Sequence, residues 1–231
     1  MTMQRWVIAS NNRGKVDEFN VLLNAYGVSV VPQRDLGIDS IPETAQTFVE
    51  NALLKARHAA RCSGLPALAD DSGLVVPALH GEPGLHSARY AEDAQNPAES
   101  ADARNIAKLL HRCSPLHGDA RQAFFICLLV LLRHPDDPAP TLCEGRWHGR
   151  IANCPAGSHG FGYDPIFIPN DHTLAKQEMV VLDSGNEAAA TDHDRSAPIT
   201  AAQLDKATKN RLSHRGKALR QLMSSLGITL P

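Results

Sequence analysis

Apolar and polar positions along this chain follow two periods, one suited to helices and one to strands. Trp6-Val7-Ile8-Ala9 is a short apolar run that gives way to turn-prone residues, the pattern of a buried strand entering a loop. Phe19, Leu22, Leu23 and Tyr26 then recur at helical spacing, with Gly27 placed as the C′ residue. Val28–Val31 before Pro32 reads as a second strand. The next helix is marked by Thr47-Phe48-Val49-Glu50, a capping box with Thr47 as N-cap and Glu50 at N3. Ala52, Leu53, Ala56, Ala59 and Ala60 give it a small-residue face, and Gly64 ends it.

Leu74–Leu79 is strand-like, and Asn96-Pro97-Ala98-Glu99 predicts another helix start, with proline at N1 and Ile106, Leu109 and Leu110 on the buried side. Ala123–Arg133 and Leu142–Ile151 read as strands around a turn at His134–Pro140, followed by a short third at Ile166–Ile168. A last helix is expected from about His214 to Leu226, with Ala218, Leu219, Leu222 and Met223 on one side. Residues 170–197 break the pattern and read as a surface loop insertion; their histidines and aspartates lack a second ligand cluster at fixed spacing. Helices and strands are mixed throughout, so the fold class is α/β or α+β with a mixed sheet.

The 231 residues are 43% hydrophobic and 21% charged, enough for a sizeable core in one domain or two small ones. A formal net charge of −2 argues against a generic nucleic-acid or membrane-surface binder. Cys62, Cys113, Cys127, Cys143 and Cys154 include no C-x-x-C pair and are odd in number, so buried free thiols are expected. Met1–Trp6 lacks the apolar core of a signal peptide, and the longest apolar run, Phe124–Leu132, is too short for a membrane span. A cytoplasmic location is the expectation.

Ser10-Asn11-Asn12-Arg13-Gly14-Lys15 lies between a strand and a helix, where backbone N–H groups and the helix dipole favour an anion. It is not a P-loop pattern, and by itself it reads equally as a helix cap. Asp70 and Asp71, between apolar flanks, would repel each other if both were buried without a cation. On an extended segment they point to opposite faces, leaving one for structure and one for chemistry. Glu43 is a second carboxylate for the same cation, and oxygen-only ligands suit magnesium. Phe161-Gly162-Tyr163-Asp164-Pro165 puts two aromatics and a carboxylate on a glycine turn, either to hold a base or to pack the core. Lys209, His214 and Arg215 place basic or switchable groups around the start of the final helix. Such groups oppose the macrodipole there and point to a bound anion or acceptor.

Taken in order, Ser10–Lys15, Glu43, Asp70–Gly73, Gly84–Tyr90, Phe161–Pro165 and Ser213–Gly216 resemble the inosine/xanthosine triphosphate pyrophosphatase family, over nearly the whole chain. The resemblance implies one elongated α/β domain with a long mixed sheet and two lobes around a central cleft, assembled as a homodimer. It also implies Mg²⁺-dependent cleavage of ITP, dITP and XTP to the monophosphate and pyrophosphate. On this resemblance Ser10, Asn11, Asn12, Arg13, Gly14 and Lys15 hold the triphosphate, while Glu43 and Asp71 serve the metal. Asp71 is also the base for the attacking water, and Ser72 contacts substrate. Phe161, Gly162, Tyr163, Asp164, Lys209, His214 and Arg215 hold the base and nearby groups. The chain departs from the family pattern in the length of its 170–197 segment and in Gln203, where an acidic residue is expected. Competing expectations are a pyrophosphatase for modified pyrimidine triphosphates and a regulatory module that binds nucleotide without cutting it.

Overall fold

The computed structural model describes residues 4–93, 99–170 and 198–229. Its frame is a six-stranded mixed sheet in the order β2-β1-β3-β4-β5-β6. The strands are β1 (Gln4–Ile8), β2 (Val28–Pro32), β3 (Ala67–Val75), β4 (Gln122–Leu132), β5 (Thr141–Ile151) and β6 (Phe167–Pro169). β1 runs parallel to β2 and β3, whereas β3 through β6 pair antiparallel. The apolar run at Phe124–Leu132 lies within β4, next to β3 in the middle of the sheet. Its near-continuous apolar sequence follows from burial on both faces.

Helices α1 (Arg13–Asn24), α2 (Phe48–Ser63), α3 (Ala101–Cys113), α4 (Lys206–Leu212) and α5 (His214–Ser225) cover the sheet. Strand alternation sorts them. Val7, Ala67, Ala69 and Val130 meet the alanine face of α2. Trp6, Ile8, Leu68 and Leu129 point the other way, toward Phe19 and Leu23 of α1 and Leu219 and Leu222 of α5. A third cluster joins Leu109 of α3 to Phe125, Trp147 and Phe167 at the far end of the sheet. Small residues on α2 let its backbone lie close to the sheet, and the Thr47 hydroxyl accepts from Glu50 N at 3.3 Å to start it. α5 lies equally close to β5: a Cβ built on Gly145 would stand 2.0 Å from the His214 carbonyl oxygen. That contact fixes where the residues at the head of α5 sit.

The structure shifts several sequence boundaries. The strand expected at Leu74–Leu79 is β3, which begins at Ala67 and carries Asp70–Gly73 within it; Pro77–Leu79 form a 3₁₀ turn. α3 starts at Ala101 with Ser100 as N-cap, so Glu99 precedes the helix, and residues 96–98 lie outside the described set. Lys209 belongs to α4, which Ser213 separates from α5. Cys62 and Cys154 are exposed, unlike Cys113, Cys127 and Cys143. The insertion expected at 170–197 lies outside the described residues beyond Asn170. Among the described residues no helix is long and apolar enough to cross a membrane.

Candidate active site

A cavity of about 540 Å³ opens beside the middle of β3, and nearly all the sequence-predicted residues meet there. Ser10, Asn11, Asn12, Lys15, Glu43, Asp71, Ser72, Phe161, Gly162, Tyr163, Asp164, Lys209, His214 and Arg215 line it. Arg13 is exposed and outside the lining, and Gly14 stands behind it, where a Cβ would come within 3.1 Å of the Phe161 ring.

The loop before α1 caps that helix and leaves donors over. Asn12 Oδ1 accepts from Lys15 N at 3.1 Å, and Ser10 Oγ accepts from Asn12 N at 3.3 Å. The Ser10 hydroxyl hydrogen and the Asn12 amide hydrogens remain for the cavity.

On β3 the paired aspartates part to opposite faces, as an extended segment requires. Asp70 turns toward α1 and α5, where Lys15 Nζ lies 2.9 Å and Arg215 Nε 3.8 Å away. Burial alone would raise its pKa, but Lys15, Arg215 and Lys55 outweigh burial and hold it at about 2. Asp71 turns toward α2 and meets Lys55 at 3.2 Å. Burial is the largest influence on Asp71 and leaves its pKa raised, with Lys55 opposing and Glu43 adding to the rise. Glu43 takes the same ammonium at 2.5 Å and Arg89 at 3.7 Å. For Glu43 the cations win over burial, and its pKa is lowered.

The far end is a buried network. Arg215 donates to Glu18 at 2.9 Å and to Ser72 Oγ at 3.1 Å, and Ser72 donates to Asp70 at 3.0 Å. Lys209 reaches Asp164 at 2.6 Å and Glu18 at 3.2 Å. Both cations stand over the Phe161 ring, 4.8 and 5.1 Å from its centroid. Asp164 also accepts from Phe161 N at 2.9 Å, which closes the glycine turn on itself. Tyr163 is buried and its hydroxyl donates to Ser87 O at 2.9 Å, so this aromatic packs the core. His214 stacks on Phe125, with ring centroids 4.9 Å apart, and is buried at the cavity wall. Burial, then Arg215 and Lys209, push its pKa well below 6.5, so it is neutral. The anion expected opposite Arg215 at the head of α5 is thus supplied from within the chain, by Glu18 and Asp70.

Sequence reasoning missed Lys55 and Glu18, and it gave no role to Arg89, which lies in the Gly84–Tyr90 segment quoted for the resemblance. Glu18 follows Lys15 by one helical turn and shares its face, a signal that was present. Lys55 sits on the small-residue face of α2 with no local mark of its pairing with Asp71. Each of the five cations Lys15, Lys55, Arg89, Lys209 and Arg215 has a carboxylate partner among Glu18, Glu43, Asp70, Asp71 and Asp164. Among the described residues no cluster of three or more histidine, cysteine, aspartate or glutamate side chains forms a complete metal site. Glu43 and Asp71, drawn together by one ammonium, are hard oxygen donors on one wall. They fit a magnesium-type cation whose remaining ligands are phosphate and water.

A family model described as the Ham1 family matches residues 6–183. The dITP/XTP pyrophosphatase of Shigella flexneri is 45% identical over 225 residues, spanning 97% of this chain and 98% of its own. That of Burkholderia pseudomallei (strain K96243) is 46% identical over 224 residues, 96% and 93% of the two chains. Among solved structures, a HAM1 protein from Coxiella burnetii superposes with a TM-score of 0.77 at 41% identity, covering 97% of this chain and 99% of that one.

Proposed function

The chain belongs to the Ham1 family, and from that premise we propose that it hydrolyses the non-standard purine nucleoside triphosphates dITP, XTP and ITP to nucleoside monophosphate and pyrophosphate. The relatives named dITP/XTP pyrophosphatase support the substrate class. The observation that carries the chemistry is Asp71, lining the cavity with a raised pKa and facing Glu43 across a shared ammonium.

In this reading the triphosphate lies along Ser10–Lys15. Asp71 accepts a proton from a water whose oxygen bonds to the α-phosphorus, as the bond from that phosphorus to the bridging oxygen breaks and pyrophosphate leaves. A carboxylate of raised pKa is a better proton acceptor than an exposed one. Lys55 orients it and offsets charge that builds on the phosphate. A divalent cation held by Glu43 and Asp71, Mg²⁺ by the chemistry of its donors, would neutralise phosphate oxygens and polarise the reacting group. The cavity favours such a partner because its own cations are already matched by carboxylates and leave no surplus for a polyanion.

At the other end, neutral His214 and the fixed Arg215 are donors suited to the 6-oxo group of hypoxanthine or xanthine. Adenine would present an amino group there and leave buried donors unpaired. The same reading takes the chain as one pyrophosphatase domain of two lobes, a homodimer acting in the cytoplasm; sedimentation at varied concentration tests the assembly. The decisive assay is pyrophosphate release with Mg²⁺ over ITP, dITP, XTP, ATP, GTP and dUTP. Rapid release from the first three supports the reading. Orthophosphate as the product, preference for the pyrimidine, or tight binding of ITP without turnover would each overturn it.

A further inference from the structure

The wall of the cavity beyond Asn11 holds a hydroxyl that no role above uses. Ser40 lines the cavity beside Asn11. A serine hydroxyl has one hydrogen and two lone pairs. Asn11 Nδ2 donates to Ser40 Oγ at 2.6 Å, and Gln33 Nε2 donates to it at 3.3 Å. Both lone pairs are therefore spent on incoming N–H groups. The hydrogen is left, and among the described residues no side chain or carbonyl accepts it.

The arrangement is anchored from three directions. Gln33 is 4% exposed, in the 3₁₀ turn Gln33–Leu36 that follows β2, and its amide also donates to Asn11 Oδ1 at 3.1 Å. That bond sets the Asn11 amide so that its nitrogen faces Ser40. From α2, His58 Nε2 meets the carbonyl of Asp39 at 3.0 Å, which steadies the residue before Ser40. With both lone pairs engaged, the hydrogen of this exposed, cavity-lining hydroxyl is left for an outside acceptor.

Resting on the pyrophosphatase reading, we propose that Ser40 donates this hydrogen to an oxygen of the departing pyrophosphate, and that Gln33 is the positioning residue that keeps the hydrogen free for it. The need for such a donor follows from the charge pattern. The cations of the cavity are tied to carboxylates, so directional recognition of the outer phosphates falls to neutral donors, Ser40 with the second hydrogen of Asn11 Nδ2. Among the described residues Ser40 hydrogen-bonds to Asn11 and Gln33 and to none of Phe161, Lys209, His214 and Arg215, the groups assigned to the base. Its loss should touch the pyrophosphate side alone.

The test uses two product inhibitors, inorganic pyrophosphate and dIMP, with dITP as substrate. Ser40→Ala is expected to weaken inhibition by pyrophosphate about fivefold, the effect of losing one neutral hydrogen bond, while inhibition by dIMP stays at the wild-type level. The KM for dITP should rise by a similar factor, with the smaller part of the loss in kcat. Ser40→Thr, which keeps the hydroxyl, should restore pyrophosphate affinity. Gln33→Met should weaken pyrophosphate in the same direction, and the double variant should be no worse than the more affected single one, because Gln33 acts through Ser40. Equal loss of pyrophosphate and dIMP affinity, or no loss in Ser40→Ala, would overturn the proposal even where dITP is still cleaved. Additive losses in the double variant would overturn the role of Gln33. A wild-type protein that releases no pyrophosphate, yet binds it in calorimetry with the predicted Ser40 dependence, would overturn the catalytic reading and leave this subsite standing.

Discussion

Glu18 is the carboxylate on which the far end of the cavity turns, and its removal gives a sharp test. It lies on α1, 11% exposed at its side chain, and accepts from Arg215 at 2.9 Å and pairs with Lys209 at 3.2 Å, side chains only 6% and 9% exposed. Breaking a buried pair by removing one partner costs roughly 3–5 kcal/mol, because it strands a charge away from water. Here neither cation is wholly stranded. Arg215 keeps Ser72 at 3.1 Å and Asp70 at 3.8 Å, and Lys209 keeps Asp164 at 2.6 Å. The lower end applies, so Glu18→Ala should destabilise by about 3 kcal/mol. For a chain of this size each kcal/mol moves Tm by roughly 2–4 °C, so thermal unfolding followed by circular dichroism should fall by about 6–12 °C. Glu18→Gln keeps an acceptor without the charge and should fall less. The cations would also drift from the Phe161 ring, so KM for dITP should rise in both variants. An unchanged Tm in Glu18→Ala, with wild-type KM, would refute the claim that this carboxylate holds Lys209 and Arg215 in place.

Three further outcomes follow from the geometry. Asp71→Asn should lower kcat by about 10²–10⁴, the usual worth of a general base, with an unaltered circular dichroism spectrum; retained turnover would remove Asp71 from that role. Gly145→Ala puts a Cβ 2.0 Å from the His214 carbonyl oxygen and 2.6 Å from Ala218 N. It should cost about 1–3 kcal/mol in chemical denaturation and impair turnover with it, since α5 must move. On acidification, Asp70 is held at about 2 against an ordinary 3.8, so the stability of its ion pairs is present above the ordinary value and drains as pH falls through the folded one. His214 is depressed below 6.5, so the unfolded chain takes up its proton first and stability falls with pH from that point down. Urea titrations from pH 7 to pH 2.5 should show both limbs, with His214→Gln flattening the upper one and Asp70→Asn the lower one; unchanged slopes would refute the assignments.

Much of this was legible in the residues because their signals are local. Thr47 with Glu50 specifies the start of α2, the run Phe124–Leu132 a strand buried on both faces, and the split of Asp70 from Asp71 follows from strand alternation alone. What escaped depended on partners distant in sequence. The apolar run placed the strand at Leu74–Leu79, whereas the ladder with β4 extends β3 back across the aspartates, whose side chains find cations on either face. Basic residues at the head of α5 suggested an external anion, and the chain itself provides Glu18. Gln203, unexpected by family pattern, serves as a cap: its Oε1 accepts from Thr200 N at 2.9 Å, as a glutamate would.

The pairing of charges also connects stability to chemistry. Lys15, Lys55, Lys209 and Arg215 are partly or wholly buried, and the carboxylate beside each offsets the cost of taking its charge out of water and in turn fixes the side chain it holds. The site is thereby set in place before a substrate arrives, so little rearrangement is needed at the moment of reaction. The same pairing leaves the cavity little surplus positive charge with which to draw in polyphosphates of every kind. On the proposed reading, discrimination would then fall to a divalent cation and to neutral donors, which would reward one arrangement of oxygens and penalise others. A binding surface for anions in general would be built the opposite way, with unpaired lysines and arginines around an open groove. That contrast is the physical reason to read this cavity as selective for one kind of triphosphate.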